Sequence, residues 1–343
     1  MKVLRARVLG FCMGVRRAMD MAVSEARLLP DAGGSGRPDA PRAADVPAPP
    51  SAGAGLARGF RPGIFTIGPL IHNPQALEVL SARGISVLDE DELPPGLEGA
   101  VLIVRAHGIT PDLEESLRKR GGRLVDATCP HVRSSQMKAK QLAGSGYHVF
   151  LAGERRHGEI IGIQGYAERG YVEREAACPA AACPSTACTV VAGVEEAEEA
   201  ARLLREREGD LCCALLAQTT ISPEEYEKIG GAIRTYFPSL MMVNTICGAT
   251  RDRQEALREL CAGVEAVIIA GGRESANTRR LLAIARNSGV PAWLVETQAD
   301  LPEEIWNYSV VGLSAGASTP DSIILDIERA LTSPHQGKKR EDV

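Results

Sequence analysis

Three segments of the chain repeat one short pattern: Gly10-Phe11-Cys12-Met13-Gly14-Val15-Arg16, Ala127-Thr128-Cys129-Pro130-His131-Val132-Arg133 and Thr245-Ile246-Cys247-Gly248-Ala249-Thr250-Arg251. Each contains Cys-x-x-(Val/Thr)-Arg between an apolar, β-rich run and a stretch with helical spacing. The three cysteines are spaced almost evenly, one in each third of the chain. This repetition predicts three similar units whose cysteines converge on one shared group. Three thiolates leave one iron of a four-iron cluster without a protein ligand, and an open metal position can bind substrate.

The composition narrows the class of protein. The 343 residues suffice for two or three domains, and a hydrophobic content of 44% supports buried cores. A net charge of −5 argues against a nucleic-acid partner, and an aromatic content of 4% argues against a base-stacking surface. No stretch approaches the ~18 consecutive apolar residues of a membrane span, and we find no secretory signal at the N-terminus. We therefore expect a cytoplasmic protein. In a cytoplasmic chain, nine cysteines indicate metal or redox chemistry.

Apolar strands alternate with amphipathic helices along the chain, which is typical of parallel sheets with helical crossovers. The predicted strand and helix pairs are residues 100–105 with 111–119, 212–217 with 223–233, 266–270 with 277–287, and 309–313 with 321–331. The predicted fold class is therefore α/β, with three small α/β units and mainly parallel sheets arranged with pseudo-threefold symmetry around a central iron–sulfur cluster. We expect the units to span residues 1–128, 129–243 and 244–343.

Two segments do not fit this alternation. Residues 30–59 are rich in Pro, Gly, Ala and Ser without an apolar period, which predicts a flexible insertion. Residues 176–189 carry Cys178, Cys183 and Cys188 at regular spacing, but no His or fourth ligand accompanies them. We interpret this segment as a surface-loop insertion, with a second metal site as the alternative. Three further cysteines lie in apolar patterns and are interpreted as small buried hydrophobic residues: Cys212, Cys213 and Cys261.

Polar side chains follow nearly every predicted strand. In open α/β sheets, ligands bind beyond the carboxyl ends of the strands. Three histidines occupy equivalent turns after strands, and hydroxyl and amide groups follow other strands: His72, His107, His157, Thr219, Ser275, Asn277 and Ser318. Taken singly, each is an ordinary turn or helix-capping residue. Together they predict an anion site suited to phosphate or diphosphate, while the absence of a P-loop or Gly-x-Gly-x-x-Gly motif argues against ATP or a dinucleotide.

Glu159 is the one carboxylate in these turns that we expect to face the site. A carboxyl group beside a metal cluster and a buried anion can hold a proton near neutral pH and act as a general acid. The alternative for Glu159 alone is a solvated turn residue. His131, next to Cys129, could also join the site, although its sequence context favours the start of a helix.

The motifs, taken in order, resemble the LytB family of 4-hydroxy-3-methylbut-2-enyl diphosphate reductases. They are Gly10-Phe11-Cys12, Ile71-His72-Asn73-Pro74, Ala106-His107-Gly108, Asp126-Ala127-Thr128-Cys129-Pro130, His157-x-Glu159, Gln218-Thr219-Thr220, Ile246-Cys247-x-Ala249-Thr250 and Ala315-Gly316-Ala317-Ser318. The resemblance runs from Val8 to about Leu331 outside the two insertions. Each motif alone is weak evidence for the family, but eight motifs in the family's order are specific to it.

The resemblance implies an oxidoreductase with one [4Fe–4S] cluster on three cysteines, Cys12, Cys129 and Cys247. Its open iron would accept the allylic hydroxyl of the substrate, which Thr219 would orient and Glu159 would protonate. The product diphosphates would be isopentenyl and dimethylallyl diphosphate, formed in the last step of the non-mevalonate isoprenoid pathway. Ferredoxin or flavodoxin is the implied electron donor. The implied diphosphate ligands are His72, His107, His157, Ser275, Asn277 and Ser318, with residue 276 at the same turn.

Two positions depart from the family's pattern. The family usually carries a second serine where this chain has Ala276, and the loss of one hydroxyl donor would weaken diphosphate binding by ~1 kcal/mol. Gly158 stands where relatives often have proline, which predicts a looser turn.

Three other classes of protein compete with this interpretation. An enzyme resembling quinolinate synthase also has three α/β units around a three-cysteine cluster, but it needs no electron supply. The His-x-Glu, Gln-Thr-Thr and Ala-Gly-Ala-Ser turns favour the reductase. An iron–sulfur sensor or electron carrier would be expected to have a fourth cluster ligand and no anion site. A structural zinc site takes four ligands in tight local pairs, which this chain does not offer.

Overall fold

Strands and helices alternate along the chain in the computed structural model, which describes residues 1–28, 62–71, 73–177 and 186–333. The described strands are β1 (Lys2–Arg5), β2 (Ile64–Ile67), β3 (Ile85–Leu88), β4 (Val101–Val104), β5 (Arg123–Asp126), β6 (His148–Ala152), β7 (Cys188–Val191), β8 (Cys213–Ala217), β9 (Met241–Met242), β10 (Ala266–Ala270), β11 (Ala292–Val295) and β12 (Val310–Ala315). The described helices are α1 (Met13–Leu28), α2 (Pro74–Ser81), α3 (Pro111–Lys119), α4 (Pro130–Gly144), α5 (Gly158–Ala177), α6 (Val194–Glu208), α7 (Pro223–Arg234), α8 (Gly248–Cys261), α9 (Ala276–Asn287) and α10 (Asp321–Thr332). The predicted insertion at 30–59 lies outside the described residues, as do Cys178 and Cys183.

The strands form three four-stranded sheets with one shared strand order. The orders are β3-β2-β4-β5, β7-β6-β8-β9 and β11-β10-β12-β1. In each sheet the first strand of the unit lies between the second and the third, and the fourth strand forms an edge. Every strand pair in the described part of the chain is parallel. The predicted α/β class with three parallel units and pseudo-threefold symmetry is confirmed.

Strand β1 differs from our expectation. We placed the start of the chain in the first unit, residues 1–128, but β1 pairs with β12, with Lys2 opposite Val310 and Arg5 opposite Leu313. The N-terminal strand therefore completes the sheet of the third unit. A strand of four residues contains too little sequence information to predict its partner strand. In the fold, β1 covers the edge of β12, which would otherwise be left unpaired.

The helix after each repeated cysteine crosses from one unit to the next. Helix α1 follows β1 of the third sheet, but its Ala18 and Ala22 pack with Ile64 of the first sheet. Helix α4 follows β5 of the first sheet and packs with β6 of the second, and α8 follows β9 of the second sheet and packs with β10 of the third. Each repeated cysteine thus lies at a junction between two units, which is why three cysteines distant in sequence can meet.

The central strands carry the cores of the units. Strands β4, β6, β8 and β10 are buried along their whole length, as expected for parallel strands covered by helices on both faces. Phe150 and Leu151 are examples of side chains with no exposed surface, and burial of each stabilises the fold by about 1.5–3 kcal/mol. The helices that follow β4, β8 and β10 begin at polar caps: the side chains of Thr110, Ser222 and Ser275 accept backbone N–H groups of α3, α7 and α9.

Two of the predictions about the remaining cysteines were wrong. Cys213 and Cys261 are buried as expected, but Cys212 is exposed because β8 begins only at Cys213. Cys188 lies at the start of β7 and pairs with Val149 of β6, so the predicted loop insertion at 176–189 does not include this end.

None of the helices in the described ranges is long and apolar enough to cross a membrane.

Candidate active site

One cavity is lined by residues that follow strands of all three sheets. It brings together eleven of the twelve residues that the sequence singled out: Cys12, Cys129, Cys247, His107, His157, Glu159, Thr219, Ser275, Ala276, Asn277 and Ser318. The twelfth, His72, lies outside the described residues, although its neighbour Ile71 lines the cavity. The carboxyl-end rule for parallel strands therefore predicted the location of the site.

Each repeated cysteine stands at the N-terminus of a helix. Cys129 and Cys247 are the N-cap residues of α4 and α8, and Cys12 directly precedes α1. The arginine of each repeat donates its backbone N–H to the cysteine carbonyl: Arg16 to Cys12 at 2.9 Å, Arg133 to Cys129 at 2.9 Å and Arg251 to Cys247 at 3.1 Å. The repeated sequence is thus the first helical turn after the cysteine. The positive end of a helix dipole favours a thiolate and an anionic group bound to it.

Gly14 in the first repeat makes room for the second cysteine. A Cβ atom on Gly14 would lie 2.5 Å from the Sγ atom of Cys129, which is closer than atoms can approach. Gly248, which follows Cys247 directly, has no atom within 4 Å of such a Cβ. The glycine in the first repeat is therefore a packing requirement of the cysteine site.

The electrostatic surroundings of the cysteine thiols favour a cationic ligand. Burial raises the pKa of the Cys129 thiol, and negative charge on Cys12 and Cys247 raises it further, whereas the N–H groups of His131 and Val132 lower it. A positive partner, such as a bound metal, would therefore favour deprotonation of the Cys129 thiol in this cavity. No group of three or more His, Cys, Asp or Glu side chains in the described ranges is arranged to hold a metal ion. Cysteine thiolates are the usual ligands of iron–sulfur clusters, so the side chains of this cavity suit such a group.

Glu159 is buried beside Thr219. The Thr219 N–H donates to Glu159 Oε1 at 2.6 Å, and the Thr219 hydroxyl donates to Oε2 at 2.9 Å. Glu159 is 2% exposed, and its burial raises the pKa to about 7, although the Thr219 bonds and the charge of Arg280 act in the opposite direction. Glu159 is not a solvated turn residue: its carboxyl can hold and release a proton near neutral pH.

Two histidines lie side by side on the cavity wall. The rings of His107 and His157 meet edge to face, with centroids 5.0 Å apart. The N–H of Glu159 donates to His157 Nδ1 at 3.2 Å, so in the neutral ring the proton lies on Nε2. The backbone of Glu159 thereby orients the His157 ring. His131 is exposed, begins α4 with Pro130, and also lines the cavity.

The N-terminus of α9 presents polar groups to the same cavity. Ser275 is the N-cap, and its hydroxyl accepts the N–H of Thr278 at 3.4 Å. Ala276 is buried at the first helical position, where the expected hydroxyl is absent. Both amide atoms of Asn277, Oδ1 and Nδ2, are buried without a hydrogen-bond partner among the described residues. Because buried amides are rarely left unpaired, Asn277 fits a polar ligand in the cavity.

Gly158 belongs to a tightly packed turn. A Cβ atom on Gly158 would lie 2.9 Å from the guanidinium carbon of Arg105, and one on Gly68 would lie 2.6 Å from Arg105 Nη1. Arg105 is mostly buried, forms an ion pair with Glu90 at 2.5 Å, and donates to the carbonyl of Gly108 at 3.2 Å. The Arg105 side chain fills the space beside Gly158.

The sequence analysis did not assign a role to Arg253, which also lines the cavity. Arg253 is buried in α8 among the apolar positions Ala256, Leu257 and Leu260. A charged residue within the apolar stripe of a helix is the signal that could have identified it.

The fold and site define a class: an α/β protein of three parallel units around a cavity that contains three cysteines at helix N-termini and a buried carboxyl. Comparison with known proteins is consistent with that class. The family model described as LytB protein matches residues 54–332. A 4-hydroxy-3-methylbut-2-enyl diphosphate reductase from Treponema pallidum is 40% identical over 96% of this chain and 83% of its own length. The chain belongs to the LytB family, whose reductases are iron–sulfur enzymes.

Two solved structures resemble the chain. One is an (E)-4-hydroxy-3-methyl-but-2-enyl diphosphate reductase, described as the terminal enzyme of the non-mevalonate pathway. It is 33% identical, with a TM-score of 0.60 over 96% of this chain and 99% of its own. The other, the E-1-hydroxy-2-methyl-but-2-enyl-4-diphosphate reductase of Plasmodium falciparum, has a TM-score of 0.74 over 97% of this chain and 88% of its own. At 24% identity, the second supports the fold alone.

Proposed function

We propose that this chain is an oxidoreductase that converts 4-hydroxy-3-methylbut-2-enyl diphosphate to isopentenyl and dimethylallyl diphosphate, the last step of the non-mevalonate isoprenoid pathway. The allylic C–O bond breaks, two electrons and one proton enter the carbon skeleton, and the hydroxyl leaves as water with a second proton. One observation carries the proposal: the buried Glu159–Thr219 pair faces the same cavity as three cysteines at helix N-termini. Family membership supports the same reaction.

Cys12, Cys129 and Cys247 would hold one [4Fe–4S] cluster. Their positions at three helix N-termini and the buried, unpaired Arg253 Nε atom fit a group with net negative charge. When bound, such a cluster supplies low-potential electrons and a Lewis-acidic iron with an open position. The remaining chemistry belongs to side chains of this chain.

The diphosphate would be bound by side chains at the rim of three different units. His107 and His157 would contribute ring N–H groups. Ser275 and Asn277 at the start of α9 would contribute a hydroxyl and an amide group, and Ser318, between β12 and α10, would contribute a hydroxyl. His72 is proposed as a third histidine ligand from its sequence position alone. A helix N-terminus with an unpaired amide is a favourable site for phosphate oxygens.

Glu159 would donate the proton and Thr219 would orient the alcohol. With a pKa of about 7, the Glu159 carboxyl is protonated in a useful fraction of molecules at neutral pH. The hydrogen bond between the Thr219 hydroxyl and Glu159 Oε2 places the hydroxyl beside the proposed acid. Thr219 is therefore placed both to form a hydrogen bond with the Glu159 carboxyl and to contact the substrate hydroxyl.

Ferredoxin or flavodoxin is the proposed electron donor, and the cytoplasm is the proposed location. A condensing enzyme resembling quinolinate synthase, an electron carrier and a structural zinc protein are disfavoured, since the relatives are named as reductases. The buried acid and the unpaired amide beside the cysteines also distinguish the site from that of a carrier.

The test is an anaerobic assay. The protein is purified with its cluster, reduced methyl viologen is supplied, and dye oxidation is followed after addition of 4-hydroxy-3-methylbut-2-enyl diphosphate. Substrate-dependent oxidation with formation of both product diphosphates is expected. The Cys129→Ser variant is the control for dye oxidation that does not depend on the site. No oxidation by protein with an intact cluster would overturn the proposal.

A further inference from the structure

Arg253 links the segments of two of the three cysteines. It extends from α8, the helix that Cys247 caps, and its Nη2 atom donates to the carbonyl of Gly10 at 2.6 Å. Gly10 has a φ of +76° and lies just before Cys12. The guanidinium Nη1 also approaches the carbonyl of Ala249 at 3.4 Å. Arg253 thus connects the start of α8 to the loop that positions Cys12.

The positive charge of Arg253 is buried without a carboxylate partner in the described part of the chain. The side chain is 2% exposed, and among the described residues its Nε atom has no hydrogen-bond partner and no Asp or Glu forms an ion pair with it. The acidic groups that act on it are the thiols of Cys12 and Cys247. Because an isolated buried charge is strongly unfavourable, the arrangement requires an anionic group in the cavity.

The fold does not itself need an arginine at this place. Ala18 in α1 and Ser135 in α4 are the pseudo-threefold equivalents of Arg253, since each follows its cysteine by the same number of residues as Arg253 follows Cys247. Both equivalents are buried and uncharged. Two of the three units therefore pack this position with a small side chain, and only the third places a charge there.

We propose that Arg253 is a positioning residue for the bound cluster, which holds the Cys12 segment against α8 and stabilises the reduced cluster through its buried positive charge. This inference rests on the proposed function. Reduction adds one negative charge to a cluster that three thiolates already make anionic. A fixed cation close to two of the ligands favours that more negative state, particularly where water is excluded. The reduction potential is thus higher than the same cysteines would give without Arg253.

The experiment compares the cluster's reduction potential in three variants, measured by dithionite titration followed by electron paramagnetic resonance. Arg253→Met removes the charge and keeps an unbranched side chain, and Arg253→Lys retains the charge. Arg258→Met is the matched control, since Arg258 lies on the same helix but is exposed and pairs with Glu224 at 3.3 Å. Circular dichroism of each apoprotein and iron content per chain report folding and cluster retention.

We expect a lower potential and less retained iron in Arg253→Met, and wild-type values in Arg253→Lys and Arg258→Met. A wild-type potential in Arg253→Met, or an equal decrease in Arg253→Lys, would overturn the inference. If the Arg253→Met apoprotein does not fold, Arg253→Gln, which keeps hydrogen-bond donors without the charge, takes its place: a lowered potential supports the role of the charge and a wild-type potential contradicts it. A wild-type protein that binds no cluster would instead overturn the proposed function itself.

Discussion

Thr219 donates two hydrogen bonds to the Glu159 carboxylate, from its N–H to Oε1 at 2.6 Å and from its hydroxyl to Oε2 at 2.9 Å. The two residues come from different strand ends of the second unit, after β8 and β6. Burial raises the pKa of Glu159 to about 7, whereas the Thr219 bonds stabilise its charged form. The balance between these two effects sets the fraction of protonated acid at neutral pH.

Replacement of Glu159 by glutamine should remove the proposed proton donor without removing the cysteines. We expect kcat to decrease by ~100-fold or more, as is typical for loss of a general acid, while iron content and KM change little. Steady-state kinetics with reduced methyl viologen and an iron assay measure these quantities. An unchanged kcat would exclude Glu159 as the proton donor.

Substitutions at Thr219 should shift the pH dependence of turnover. In Thr219→Val the carboxylate of Glu159 loses its hydroxyl donor, so its pKa rises above about 7 and the alkaline decrease in kcat moves to higher pH. The maximal kcat also falls, because the substrate hydroxyl loses its contact. Thr219→Ser keeps the hydroxyl and should retain the wild-type profile. Identical pH profiles for the valine and serine variants would contradict this role.

Glu159 also makes the stability of the apoprotein depend on pH. A carboxyl whose pKa is raised from 4.5 to about 7 in the folded state stabilises the fold below pH 4.5, and this contribution is lost as the pH rises through about 7. The free energy of unfolding of wild type, relative to that of Glu159→Gln, should therefore decrease with pH across this window. Urea unfolding of both apoproteins under reducing conditions measures the difference. A constant difference would show that Glu159 titrates normally.

Replacement of Cys12, Cys129 or Cys247 by serine should abolish activity and reduce bound iron. Serine keeps the size of the side chain but lacks the thiolate that iron–sulfur clusters require. Cys212→Ser is the matched control, since Cys212 is exposed and lies away from the cavity lining. Iron content, acid-labile sulfide and visible absorbance are the measurements. An active Cys129→Ser variant with an unchanged cluster would refute the assignment.

Alanine at Gly14 should disturb the cysteine site through packing alone. The added Cβ would meet Cys129 Sγ at 2.5 Å, so the thiol or helix α1 must move and iron retention should fall. Gly248→Ala adds the same atom beside Cys247 where no atom lies within 4 Å, and it should retain wild-type iron. Equal iron retention in the two variants would show that the Gly14 contact is not restrictive.

Local sequence patterns predicted most of the secondary structure and the location of the site. Helix α3 has the predicted bounds, and α7 begins at the capping side chain of Ser222. These elements are specified by neighbours in the chain: an apolar run, a capping side chain and a proline at the first helical position. The site followed from the same patterns, since parallel strands deliver their next residues to one end of a sheet.

The tertiary structure decided what depends on residues distant in sequence. Strand β1 pairs with β12 from the other end of the chain, and Arg105 fills the space beside Gly158 although the two residues are distant in sequence. The raised pKa of Glu159 follows from its complete burial, which no local pattern reports. The amino-acid sequence alone therefore determined the strand–helix alternation, the three repeated cysteines and the family. Strand pairing, side-chain burial and the position of the Arg253 charge beside two cysteines depend on contacts between residues distant in sequence. They therefore arise only when the three units pack together.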